Sequence, residues 1–76
     1  MIGPVKVEKL IRRLERLGFQ PVRQKGSHII FKHSDGRVTV VPFHKGEEIG
    51  RGLLRKIAWQ IGMEPEELYR LIVEND

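Results

Sequence analysis

The chain has 76 residues, of which 39% are hydrophobic, 32% are charged and none is cysteine, so one domain over residues 1–76 is expected, without disulfides or thiolate metal sites. No apolar run is long enough for a membrane helix and no charged-apolar-small leader opens the chain, so the expected setting is soluble and cytoplasmic. The net charge of +4 is uneven: residues 1–18 hold five basic and two acidic side chains, residues 19–63 eight and three, and residues 64–76 one and five.

A positive field over the body of the domain attracts phosphate backbones, although ordinary solubility charge explains it equally well. Along the chain, Pro4 suits the first turn of a helix. Val7, Leu10, Ile11, Leu14 and Leu17 then recur at helical spacing, with Lys6, Lys9, Arg12, Arg13 and Arg16 on the other faces. Gly18 follows as a left-handed cap would, and Phe19 can pack back on the last turn.

Three strand-like runs come next, Gln20–Gln24, Ser27–His33 and Arg37–Pro42. Two-residue turns at Lys25-Gly26 and Asp35-Gly36 would pair Val22 with Ile29, Arg23 with His28, Phe31 with Val40 and His33 with Val38. That register gives a core face of Val22, Ile29, Phe31, Val38 and Val40. It leaves an open face of Arg23, His28, Ile30, Lys32, Arg37 and Thr39. A one-residue slip would drive His28 and Lys32 into the core, which is costly.

Pro42 ends the third run. A loop from Phe43 to Gly50 leads to a second helix near Arg51–Ile61. Its stripe is Leu53, Leu54, Ile57, Ala58 and Ile61, with Arg51, Arg55 and Lys56 outward and Gly62 as the stop. Trp59 borders the stripe, so packing at the edge of the core is expected rather than base stacking. Pro65-Glu66-Glu67 opens a short last helix. The expected fold is α+β. It is a three-stranded antiparallel sheet with helices on one face, in α-β-β-β-α order plus a short C-terminal helix, and resembles the double-stranded-RNA-binding fold.

Chemistry narrows to few residues. His28 and His33 lie an odd number of positions apart on one strand, and neither Asp35 nor Glu47-Glu48 completes a ligand spacing, so no metal is expected. Gly46, Gly50 and Gly52 precede a helix but form no phosphate-loop fingerprint, and a flexible loop accounts for them better. Ser27 lacks the third partner and the elbow of a serine nucleophile, and reads as a small residue beside a turn. His28 is different. On the expected register it stands among Arg23, Lys25 and Lys32, cations that draw phosphate and favour a neutral imidazole able to accept a proton. Cutting RNA needs a base for the 2′-hydroxyl, charge stabilisation at phosphorus and a proton for the leaving oxygen. Spacing alone nevertheless favours a solvated strand histidine with no task.

A resemblance shifts that balance. The runs "LERLGF" (Leu14–Phe19), "VRQKGSH" (Val22–His28), "GSHIIF" (Gly26–Phe31), "VPFHKGEEI" (Val41–Ile49) and "GLLRKIAWQIG" (Gly52–Gly62) together resemble the HicA family of bacterial and archaeal toxins, also called YcfA-like proteins. The similarity covers roughly residues 4–73. It implies a small toxin of the double-stranded-RNA-binding-like fold that cleaves messenger RNA, paired with a HicB antitoxin that covers its active face. The family's catalytic histidine, in the Gly-Ser-His motif, falls on His28. His44 falls in a second histidine-bearing motif, as a phosphate contact, a proton donor or a structural loop residue. Arg23, Lys25, Ser27, Lys32, His44 and Lys45 are the expected RNA contacts, with no cofactor.

The sequence thus points to a metal-independent endoribonuclease, monomeric when free and hetero-oligomeric with its antitoxin. A non-catalytic RNA-binding module is the runner-up, distinguished by salt-dependent binding without cleavage. A protein-interaction domain is the third reading, distinguished by a partner that RNA does not displace.

Overall fold

The computed structural model describes residues 1–74 of the chain. In chain order it holds β1 (Val5–Lys6), α1 (Val7–Arg16), β2 (Phe19–Lys25), β3 (His28–His33), β4 (Val38–Pro42), β5 (Glu48–Ile49), α2 (Arg51–Gln60) and α3 (Pro65–Glu74). The central sheet is antiparallel with order β2-β3-β4, and β1 pairs with β5 in a separate two-stranded ribbon.

The first helix starts later than Pro4 suggests. Val5 and Lys6 are extended and pair with Ile49 and Glu48, and the Val7 N–H donates to the Glu47 carbonyl at 3.0 Å. That bond satisfies one of the amide groups a helix start leaves orphaned, without any side-chain cap. Val7, Leu10 and Leu14 are buried on one side of α1, as their spacing requires. Gly18 has φ +96° and ends the helix, its N–H donating to the Glu15 carbonyl.

All three helices serve one apolar layer. α1 packs on β2, α2 on β4, and α3 against both helices. Phe19, Phe31 and Val41 from the sheet meet Leu10, Leu14, Leu54, Ile57, Ile61, Leu68 and Ile72 from the helices. Each such buried side chain contributes about 1.5–3 kcal/mol. Pro65 begins α3 with Glu66 and Glu67 in its first turn, and at ten residues α3 matches the other helices in length. Arg13 Nη2 donates to the Leu71 carbonyl at 3.2 Å, tying α1 to α3.

The hairpins correct the expected register twice. In the first, Lys25 pairs with His28, so the turn is Gly26-Ser27 rather than Lys25-Gly26. Gly26 has φ +57°, which suits a type II′ turn with glycine at its first central position. An irregularity between Pro21 and Arg23 shifts the pairing by one residue, so that Pro21 faces Phe31 rather than the Ile30 of the expected register, and it leaves Val22 exposed.

In the second hairpin the His33 N–H donates to the Arg37 carbonyl and the Gly36 N–H to the His33 carbonyl, both at 2.9 Å. The loop is therefore three residues, Ser34 to Gly36, one longer than expected. One extra residue flips every side chain of β4 to the other face. Ile30 pairs with Val40 and Phe31 with Thr39. Val38 and Val40 are exposed instead of core, while Thr39 and Val41 are buried.

Thr39 is satisfied in its burial because its hydroxyl donates to Gln60 Oε1 at 2.7 Å. Arg37 likewise leaves the open face. Its guanidinium lies 5.1 Å from the Phe19 ring centre, donates to the Ile61 carbonyl and pairs with Asp35.

Candidate active site

Alternation along β3 settles which side chains meet solvent. His28, Ile30 and Lys32 share one face, and Phe31 on the other is fully buried. His28 is exposed at the very start of β3, on the sheet face that carries no helix. The Gly26-Ser27 turn fixes it there. Gln24 Nε2 donates to the Gly26 carbonyl at 3.0 Å, and the Phe43 N–H donates to the Ser27 carbonyl at 2.6 Å. Ser27 is half-buried, and its backbone ties the turn to the segment leaving β4.

Residues directly opposite in an antiparallel sheet share a face at about 4.5–5.5 Å, and diagonal ones at about 7–8 Å. Lys25, not Arg23, is the residue across from His28 on β2, and Pro42 is across from it on β4. Arg23 stands opposite Ile30, one same-face step further along. Lys32 lies another such step away, opposite Gln20. The cations are thus on the His28 face in the order Lys25, Arg23, Lys32, all exposed. Val38 and Val40 complete this face from β4.

His44 and Lys45 are exposed on the loop after β4. His44 follows Pro42, the cross-strand neighbour of His28, by two positions. The loop is anchored. Its turn closes through the Glu47 N–H on the His44 carbonyl at 2.9 Å. The Gly46 N–H donates to Glu8 Oε2 at 2.8 Å, and Lys6 Nζ to the Gly46 carbonyl at 3.2 Å. The Gly46 amide, the helix-start amide of Glu8 itself and the charges of Lys6 and Lys45 hold the Glu8 carboxyl below the usual glutamate range. Sequence reasoning did not find Glu8, since an acid in a helix's first turn is common for reasons of the helix dipole alone.

The other two expected features lie elsewhere. His33 sits at the far end of β3, edge-on to Phe19 with ring centres 5.2 Å apart. Its Nδ1 accepts the Asp35 N–H at 3.1 Å, and Arg37 holds the Asp35 carboxyl below its usual range through direct hydrogen bonds. Trp59 is 64% exposed on the outer side of α2, which corrects the expectation that it packs at the core edge. Arg51, Arg55 and Lys56 are exposed on the same helix, in the helix layer rather than on the open sheet face. Among the described residues no three of His, Asp and Glu converge on a common point that could hold a metal ion, and no helix is long and apolar enough to cross a membrane.

An exposed imidazole flanked by cations, on the uncovered side of a three-stranded sheet, can move a proton next to a bound phosphodiester. A family model described as the HicA toxin of bacterial toxin–antitoxin systems matches residues 7–63, from the start of α1 through α2 and the residues that follow it. That span includes His28 and His44 and stops short of α3. No curated protein matches the chain. The match covers well over half of the chain, which belongs to the HicA family of toxins of bacterial toxin–antitoxin systems.

Proposed function

We propose that the toxin is a metal-independent endoribonuclease that cleaves messenger RNA in the cytoplasm, with His28 as its proton-transfer group. The observation that carries this reading is the exposed His28 ring on the open sheet face, with Lys25 directly across and Arg23 and Lys32 along the same face. A neutral His28 nitrogen takes the proton of a ribose 2′-hydroxyl. The 2′-oxygen attacks the adjacent phosphorus, the bond from phosphorus to the 5′-oxygen breaks, and a 2′,3′-cyclic phosphate and a 5′-hydroxyl result. Lys25 and Arg23, the cations nearest His28 in the register, stabilise the charge that builds on the phosphoryl oxygens, and Lys32 holds the backbone further along. His44, on its anchored loop, is assigned to protonate the departing 5′-oxygen. One positioned base accelerates such a step by about 10²–10⁴-fold.

The same face suits a HicB-like antitoxin. Val22, Val38 and Val40 are exposed there between the cations, so a partner presenting apolar and acidic side chains would bury both kinds of surface. Such a partner would occlude His28 and form a hetero-oligomer with a toxin that is monomeric when free.

The test is His28→Ala. Purified variant should keep its Tm and its RNA affinity and lose cleavage by at least two orders of magnitude, with growth arrest abolished on expression. Cleavage at the wild-type rate would remove the assignment. Tight binding by the wild type without any product, even at high protein concentration, would make the chain an RNA-binding module instead.

A further inference from the structure

We infer that the cleft at the opposite end of the open sheet face is a nucleotide subsite, which holds a base and phosphate of the RNA a few nucleotides away from the bond cut at His28. The inference rests on the RNA-cleaving reading above and adds to it a second point of contact.

The cleft is a shallow, solvent-open depression of about 430 Å³, lined by Gly18, Gln20, Val22, Lys32, His33 and Ser34. That volume falls within the range of about 300–1,000 Å³ usual for small-ligand sites. Two features of the fold create it. The irregularity after Pro21 turns Val22 outward to provide one apolar wall, and the residue at position 18 has no side chain. A Cβ on Gly18 would stand 2.7 Å from His33 Nε2, so the glycine leaves that nitrogen uncovered.

The polar groups around the cleft are complementary to an acceptor-rich ligand. His33 Nδ1 is engaged by Asp35, 3.1 Å from its amide and 3.2 Å from its carboxylate oxygen, so Nε2 is the ring nitrogen left to meet a ligand at the cleft wall. Lys32 brings a cation, Ser34 a hydroxyl, and Gln20, the cross-strand partner of Lys32, a carboxamide able to read a base edge. Among the described residues no carboxylate lines it. Lys32 is four residues from His28 on β3, which is about 13 Å at the usual strand rise. A few nucleotides of extended RNA span that distance along the row of Lys25, Arg23 and Lys32.

The experiment uses non-cleavable oligoribonucleotides, with 2′-O-methyl groups at every position and lengths from two to eight nucleotides, and the double variant Gln20→Glu/Ser34→Asp. Both positions are exposed and outside the catalytic assignment, so the fold should persist. Wild-type affinity, read by fluorescence anisotropy, should step upward at the length that reaches the cleft. The variant should lose that step, about tenfold in Kd, and bind dinucleotides as the wild type does. On cleavable RNA, its preference at one fixed offset from the cut should relax while dinucleotide cleavage stays within twofold.

Wild-type affinity and cut-site preference in the variant would overturn the subsite. A cleft that serves a protein partner would give that same result. Because binding is read on RNA that cannot be cut, His28→Ala retaining full activity would sink the catalytic assignment and leave the subsite standing.

Discussion

Lys25 stands directly across from His28 in the β2–β3 hairpin, and only the two-residue Gly26-Ser27 turn separates them. Their positions on opposite sides of a tight turn make Lys25 the directly paired cation of His28 in the sheet, with Arg23 one diagonal step away. Lys25→Ala should therefore lower single-turnover cleavage by about tenfold, and Arg23→Ala by several-fold less. Both should reduce the salt dependence of RNA binding, by about 0.7 in the log–log slope for each phosphate contact to a single strand. Cleavage kinetics of the two variants against the wild type decide it, and a larger loss for Arg23→Ala contradicts the observed register.

The register of the second hairpin has its own test in stability. Val41 is fully buried and Val40 is 37% exposed, so neighbouring valines of one strand should respond differently to truncation. Val41→Ala removes two buried methyl groups and leaves a cavity, at a cost of about 2 kcal/mol. Val40→Ala should change stability by no more than about 0.5 kcal/mol. Urea unfolding at constant m-value measures both, and equal losses would mean that β4 is paired one residue differently.

These two valines also show why part of the fold could be read from the sequence and part could not. The helices are legible because Val7, Leu10, Leu14 and Leu17, or Leu54, Ile57, Ala58 and Ile61, match a helical repeat and no other. His28 facing outward is legible because it shares parity with Lys32 against Ile29 and Phe31. The run Val38-Thr39-Val40-Val41 has apolar residues on both parities, so alternation cannot choose between registers. Asp35-Gly36 fits a two-residue turn as well as the end of a three-residue loop. The irregularity at Val22 has no local signature, and two-residue strands such as Val5–Lys6 are too short to show any period. Whether His28 transfers a proton is a matter of what binds beside it, which no spacing encodes.

The loop that carries His44 should be sensitive to acid. The Glu8 carboxyl is held below its ordinary range first by the Gly46 N–H, and a carboxyl lowered in the folded state stabilises only while it is ionised. Its contribution is complete above the ordinary glutamate pKa of about 4.3 and is lost as pH falls through the lowered folded value. An NMR titration of the Glu8 carboxyl should give a midpoint below that of an unstructured glutamate. The Gly46 amide should exchange faster as the carboxyl protonates. Glu8→Gln should flatten this acid response at Gly46, and an unchanged response would assign it to another group.

Gly18 and Gly52 should respond to alanine with opposite signs. At Gly18 the backbone has φ +96°, and an added Cβ would press to 2.7 Å from His33 Nε2, whose ring is braced by Phe19 and the Asp35 amide. Backbone strain alone costs about 1–2 kcal/mol there, and displacement of the imidazole adds to it. Gly52 lies in the first turn of α2 with nothing within 4 Å of its Cβ position. Alanine there restricts the unfolded chain and favours the helix, which should stabilise the protein by about 0.5–1 kcal/mol. Thermal unfolding of the two variants should move Tm in opposite directions. A neutral Gly18→Ala would mean that the end of α1 does not require a positive φ and that His33 is free to turn aside.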